Sequence, residues 1–450
     1  MGGVGFTEAL ATWVSELSLD SIPADAIEVA RQCLLDWIGV TLAGSQEPAA
    51  RIALETQLDE ASGLLGVTVV GTPSLLPASA AALVNGTASH ALDYDDANGA
   101  MFGHPTVPVL GALLPLAESR RATGAELLVA FVAGYEVECR VAVAMSDAHY
   151  RRGYHATGTV GTLGAAAACA RLLELGVERT AIALGLAATQ ASGLKAMFGT
   201  MAKPLHAGKA AANGLLAARL AAHGFSAAGD AVEAAQGLAL TLGGSFDADR
   251  GLRKLGERWY VRSNLFKYHA ACYETHSTIE ALRGLSTEHG FRSDDIERVV
   301  IHANDLQLGM CAIETPVTGL ESKFSLRHVA ALALTGADTA AIDCFADDRV
   351  AVPAIVALRE RVEVVSGGPP SGGTPVTVHL FDGRVFHASH DSHVPAVDLD
   401  GQYERLRDKA ERLAAPVIGT AATASLLDMV ASVDEITDVG DLMIQTRVER

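Results

Sequence analysis

The chain has 450 residues, 49% hydrophobic and 19% charged, which suits a well-packed protein of two or more domains and excludes a disordered chain or a coiled coil. A formal charge of −19 argues against nucleic acid and anionic membrane as partners, because both need basic surface. The longest apolar stretches are too short to span a bilayer, and the six cysteines carry no CxxC pairing, so a soluble protein of a reducing, cytoplasmic compartment is expected.

From the N-terminus to about residue 262 the pattern predicts helix after helix. Ser21-Ile22-Pro23 reads as a start, with Ser21 as N-cap and proline in the first turn, for a helix over 24–44 that Gly44 stops. Helices are also expected over 107–119, 124–146, 159–175, 179–196, 208–223 and 228–242, rich in the Ala and Gly that let helices approach closely. After residue 263 the character changes. ERVVIHAND (297–305), RVEVVSG (361–367) and TPVTVHLFDGRVFHASH (374–390) read as strands, the last with a hairpin turn at Asp382-Gly383. Helical spacing over 323–334 and 351–361 completes an α+β module, and from Gln402 the chain is helical again. The expected fold is mainly α: a large all-helical domain, discontinuous in sequence (1–262 and 399–450), with a smaller α+β domain inserted at 263–398.

The chemistry concentrates in a few stretches. HALDYDDANGAMFGHP (90–105) carries Asp93, Asp95, Asp96, His90 and His104 inside an otherwise apolar region, where ionisable groups are costly unless paired or used. The run before it has helical spacing and Asn98-Gly99 breaks it, so the acids are expected at a helix end and His104 on the following loop. YRRGYHATGT (150–159) holds Tyr154 and His155 before an Ala-rich helix, whose N-terminus offers free N–H groups to a carboxylate. MAKPLHAGK (201–209) presents Lys203 and His206 beside a helix start as fixed cationic donors. NLFKYHAACYETH (264–276) places Lys267 and His276 at the inferred domain boundary, a preferred location for substrate.

In order along nearly the whole chain, LDYDD followed by HP, GYHATGTVGTLGAAAACARLL, KPLHAGKAAANGLLAARLA, LFKYHAACYETH and ESKFSLRH resemble the MmgE/PrpD family of 2-methylcitrate-dehydratase-like proteins. The resemblance implies an all-helical domain with an α+β lid, a homodimer, and no metal or organic cofactor. It also implies a reaction on a di- or tricarboxylate: dehydration of 2-methylcitrate, decarboxylation of cis-aconitate or epimerisation of iminodisuccinate. Carried over by motif, Asp93, His104, His155, Lys203 and Lys267 are the catalytic set, with His206, His276, Tyr154 and Ala97 beside the substrate. The sequence departs from the family's pattern at three places. Ala97 stands where the decarboxylase has threonine, Ala156 follows His155 where proline is common, and Tyr268-His269-Ala270-Ala271 replaces a proline- and cysteine-containing run.

All three reactions create negative charge on a carbon next to a carboxylate, which requires proton transfer and fixed cations. Lys203 and Lys267 suit the cation role, His104 or His155 the proton transfer, and Asp93 the orientation of a histidine or of a substrate hydroxyl. The expected function is therefore a lyase of a small polycarboxylate, 2-methylcitrate dehydratase-like first, with decarboxylase or epimerase as alternatives. Three rival readings carry less. A Mg2+ site of the prenyl-diphosphate type lacks the right aspartate spacing, a zinc site at His90, Asp93 and His104 lacks tight helical spacing, and a helical scaffold protein would scatter the cations and histidines over its surface.

Overall fold

The computed structural model describes residues 5–60 and 66–448. The chain divides into two compact units, one running to Phe266 and resuming at Ala396, the other comprising Lys267–Pro395. The larger unit is helical apart from a two-stranded ribbon pairing Val67–Thr68 with Leu75–Leu76. The smaller unit contains a four-stranded sheet in the order 362–366, 296–303, 374–380, 385–390, with the first pair parallel and the others antiparallel. The helix His276–His289 packs on that sheet's hairpin. No helix among the described residues is long and apolar enough to cross a membrane.

At the centre of the larger unit, the helix Ala202–Ala222 packs against Ala78–His90, Thr106–Arg120 and Ala156–Leu172. Small residues set how closely they approach. A Cβ at Gly86 would lie 2.9 Å from Gly208 Cα, and one at Gly111 would lie 3.0 Å from Gly86 Cα, so three helices meet with backbone against backbone. A Cβ at Gly208 would collide with the Leu83 carbonyl and the Thr87 hydroxyl. Ala82, Ala112, Ala165, Ala211 and Leu215 fill the layer around this crossing. Close packing of this kind leaves little room for an added methyl.

The C-terminal return is tied to the first part of the chain by buried polar contacts. Leu399–Ile418 packs on Ala24–Gly44. Between them Lys409 Nζ stands 2.6 Å from Asp36 Oδ1, donates to the Tyr94 carbonyl at 2.8 Å and lies 4.0 Å from the centre of the Tyr94 ring. Gln402 donates to Gln32 at 2.7 Å, and Gln32 to the Leu399 carbonyl at 2.9 Å. A helix from the end of the chain thus holds the loop that carries the aspartate run.

Several expected boundaries move. Ser21 does not cap the long helix; it closes a short 3-10 turn with Ser18, and the helix Ala24–Gly44 starts after Pro23. The helix expected over 179–196 is Gly176–Ala188, and the one over 159–175 is Ala156–Leu172. The helix expected over 208–223 begins at Ala202, which puts Lys203 and His206 in its first turns. No α-helix spans 228–242. The segment turns instead, with Leu238 N–H on the Ala231 carbonyl at 2.8 Å, followed by a short π-helix at Ala239–Gly243. A Cβ at Gly237 would lie 2.5 Å from the Ala231 carbonyl, so the tight turn replaces the helix that the alanine spacing suggested.

Gly208→Ala should lower the unfolding free energy by about 1–3 kcal/mol in urea titrations, because backbone must shift to admit the methyl. Gly284→Ala, on an exposed helix position with nothing within 4 Å, should be neutral or stabilise by up to about 1 kcal/mol.

Candidate active site

The helix Ala78–His90 ends at His90, earlier than the sequence suggested, and the aspartate run lies on the loop beyond it. Asp93 adopts a left-handed backbone, φ 52°, which aspartate tolerates better than most residues. His104 sits just before the helix Thr106–Arg120, its N–H donating to Thr157 Oγ1 at 3.0 Å. His155 is the N-cap position of Ala156–Leu172. Helix ends therefore deliver two of the histidines to the same place, and the first turns of Ala202–Ala222 bring Lys203 and His206.

At the centre lies Asp95, a residue the sequence reading did not place in the site. Its carboxylate is buried and accepts from two imidazoles, His90 Nδ1 at 2.9 Å and His104 Nδ1 at 2.9 Å. His104 Nδ1 also faces the Asp96 carbonyl at 2.7 Å. A carbonyl oxygen only accepts, so Nδ1 of His104 carries a hydrogen and Nε2 is the atom left for proton exchange. Burial pushes the Asp95 carboxyl up, but the two histidines outweigh it and hold it well below the usual carboxylate range. His90 is lowered to about 4, chiefly by burial, and is therefore a neutral donor to Asp95 at neutral pH. Its Nε2 is buried without a hydrogen-bond partner among the described residues.

Asp93 faces both a cation and a histidine. Its Oδ1 is 2.8 Å from Lys203 Nζ and 3.8 Å from His104 Nε2, so the carboxylate draws the ammonium and that ring nitrogen to one point. Phe198 closes one side, its ring 5.3 Å from Lys203 Nζ and edge-on to His155 at 4.9 Å. The imidazoles form a row: His104 to His90 at 4.6 Å between ring centres, His90 to His155 at 5.7 Å, and His155 to His206 at 5.3 Å. His155 Nδ1 and His206 Nδ1 share one hydrogen at 3.0 Å. Burial, then the charges of His90 and Lys203, keeps His155 well below the ordinary histidine value, which fits a neutral ring.

The other expected residues make contacts of their own within each unit. Tyr154 stacks on His149 with ring centres 5.2 Å apart and planes 8° apart. Ala97 pairs its backbone with Leu265, its N–H donating at 2.8 Å, and its methyl brings no polar atom. Lys267 and His276 belong to the smaller unit. Both are buried there, His276 at the start of its helix with its ring 4.8 Å from that of His269. Burial, then the charges of His269 and Lys267, keeps His276 well below its ordinary value. His269, at one of the departures from the family's pattern, is fixed by Thr339 Oγ1 at 2.8 Å and Glu280 at 3.3 Å.

Ligand-type atoms of His90, Asp93, Asp95 and His104 lie within 4.8 Å of one another, a spacing compatible with a cation. The protein already supplies positive partners at these carboxylates, Lys203 on Asp93 and two N–H groups on Asp95, and the geometry reads as a device for orienting imidazoles.

Two predictions follow from these contacts. In Asp95→Asn a single amide oxygen replaces a carboxylate that serves two N–H donors, so one ring loses its partner. Turnover should fall at least about 10²-fold with the fold retained by circular dichroism, since positioned acid–base groups contribute about 10²–10⁴. Neighbouring Asp96 is raised from 3.8 to about 7 by burial, against the opposing hydrogen bond of Thr106. Its folded pKa exceeds the unfolded one, so its contribution is fully present below about pH 4 and is lost as pH rises through about 7. Urea unfolding of Asp96→Asn should lack that part of the pH slope.

Comparison with known proteins places the chain in a family by its sequence. The MmgE/PrpD N-terminal domain model matches residues 8–250 and the MmgE/PrpD C-terminal domain model matches residues 269–435. The chain is 28% identical over 469 residues to the cis-aconitate decarboxylase-like protein oryM of Aspergillus oryzae, covering 97% of this chain and 96% of that one. It is 28% identical over 462 residues to the cis-aconitate decarboxylase of Homo sapiens, covering 96% and 92%. To that of Aspergillus terreus it is 26% identical over 470 residues, covering 98% and 95%. With both domain models matched in order across almost its whole length, the chain belongs to the MmgE/PrpD family.

Proposed function

We propose that this protein is a carboxy-lyase that removes CO2 from a small unsaturated tricarboxylate of the cis-aconitate type. The observation that carries this reading is the convergence of His104 Nε2 and Lys203 Nζ on Asp93, at 3.8 and 2.8 Å. The full-length likeness to proteins named as cis-aconitate decarboxylases supports the substrate class and moves the preferred reaction from dehydration to decarboxylation.

The step divides among these groups. The carbon–carbon bond to one carboxylate breaks and CO2 leaves. The electron pair stays on carbon and spreads into the remaining conjugated carboxylate, whose oxygens the Lys203 ammonium stabilises as charge develops. His104, protonated on both nitrogens before the step, delivers its Nε2 hydrogen to carbon and returns to the neutral form with the hydrogen on Nδ1. Asp95 stabilises the imidazolium through Nδ1 and keeps the ring from turning. Buried His155 and half-buried Phe198 form a flank of reduced dielectric in which the charge of Lys203 acts more strongly than in water.

Carbon and proton NMR in D2O with cis-aconitate should show new vinyl signals, loss of one carbon as bicarbonate and one deuterium in the product. His104→Ala and Lys203→Ala should each reduce that rate by about 10²-fold or more. A product that keeps all its carbons, from this or any related polycarboxylate, would replace decarboxylation by dehydration or epimerisation.

A further inference from the structure

A second charged site lies away from the row of imidazoles. Arg250, Arg253, Lys254 and Arg258 line one cavity of about 500 Å3, together with Tyr260 and the Gly99–Phe102 turn. All four cations are exposed. In a chain of net charge −19, several exposed or half-buried cations elsewhere in this unit have carboxylate partners, among them Arg262 with Asp25, Arg121 with Asp438 and Arg407 with Asp428. Among the described residues none of the four in the cavity has a carboxylate within 4.0 Å, although Asp249 and Glu257 lie in the same segment.

The backbone is arranged to produce this crowding. Arg140 is wholly buried and pairs with Glu136 at 3.4 Å. Its guanidinium donates to the carbonyls of Gly251, Arg253, Lys254 and Arg258 at 3.1, 3.3, 3.4 and 2.7 Å. Those oxygens are turned inward around one buried cation, and the chain bends with Lys254 at φ 54° and Gly256 at φ 80°. Arg258 lies over the Tyr260 ring at 4.7 Å. Like charges held this close repel one another, and an anion in the cavity relieves that repulsion through several charge-assisted hydrogen bonds at once. The volume suits a small organic or inorganic polyanion.

The cavity wall is also joined to the loop that ends in His104. Asn98 Nδ2 donates to the Tyr260 carbonyl at 3.0 Å, its Oδ1 accepts from Ala100 N–H at 2.8 Å, and its own N–H meets the Gly103 carbonyl at 3.0 Å.

We propose that this cavity is a binding site for a small polyanion, bearing phosphate or carboxylate groups, distinct from the imidazole cluster. The proposal does not depend on the reaction assigned above. Isothermal titration of the full chain at fixed ionic strength, with inorganic pyrophosphate and separately with citrate, tests it in wild type, Lys203→Ala and the double variant Arg253→Ala/Lys254→Ala. Saturable binding of one probe that persists in Lys203→Ala and weakens at least about tenfold in the double variant is expected, the loss of two charge-assisted contacts. The probe that binds identifies the phosphate or the carboxylate source. Should the double variant not fold, Arg250→Ala replaces it, since Arg140 does not hold the carbonyl of that residue. No saturable binding of either probe, binding that the cavity variants leave unchanged, or binding abolished by Lys203→Ala overturns the proposal.

Discussion

One buried carboxylate shared by two imidazoles is the contact on which the geometry of the candidate site depends. Asp95 accepts from His90 and His104 at the same distance, 2.9 Å, and it is buried together with His90. A buried anion of this kind is tolerated only when its lone pairs are satisfied, and here both partners are rings whose other nitrogens point away from it. The arrangement turns a residue with two interchangeable nitrogens into one with a defined reactive atom. Lys203 and Asp93 then meet that atom from the other side, which gives the cluster its polarity.

Holding such a loop in place takes structure from distant parts of the chain. Lys409, on the returning C-terminal helix, grips the Tyr94 carbonyl immediately before Asp95 while paired with buried Asp36. Removing one member of a buried pair strands the other, so the return of the chain to the first domain is bound up with the loop's geometry. Glu138 marks a different solution to burial. Both its oxygens lack partners among the described residues, beside Gly164, and burial followed by the charge of Asp96 raises it well above the usual carboxylate range, leaving a neutral acid.

Much of this was legible in the sequence. The long helix Ala24–Gly44, the Ala- and Gly-rich helices and the hairpin at Asp382-Gly383, where Gly383 has φ 86°, follow from spacing and turn chemistry. The five motifs identified the family, and the stretches around Asp93, His104, His155, Lys203 and His206 do come together. The division of labour among the aspartates was not legible, because Asp93, Asp95 and Asp96 share one short run and only the left-handed turn at Asp93 separates their directions. His90 gave a weak signal as the last residue of a helix, where a histidine commonly serves the helix dipole. The stacking of Tyr154 on His149 was not legible, because His149 comes from a short turn with no periodicity of its own. The cations around the polyanion cavity are irregularly spaced, and only the inward carbonyls around Arg140 make them one group.

The assignment of the reactive atom is most directly tested by the 15N spectrum of the histidine side chains, with His104 identified by substitution, at a pH where its ring is neutral. Hydrogen on Nδ1 and a free Nε2 are expected in the wild type, with that preference lost in Asp95→Asn. A wild-type His104 carrying its hydrogen on Nε2, or a preference that Asp95→Asn leaves intact, would contradict it.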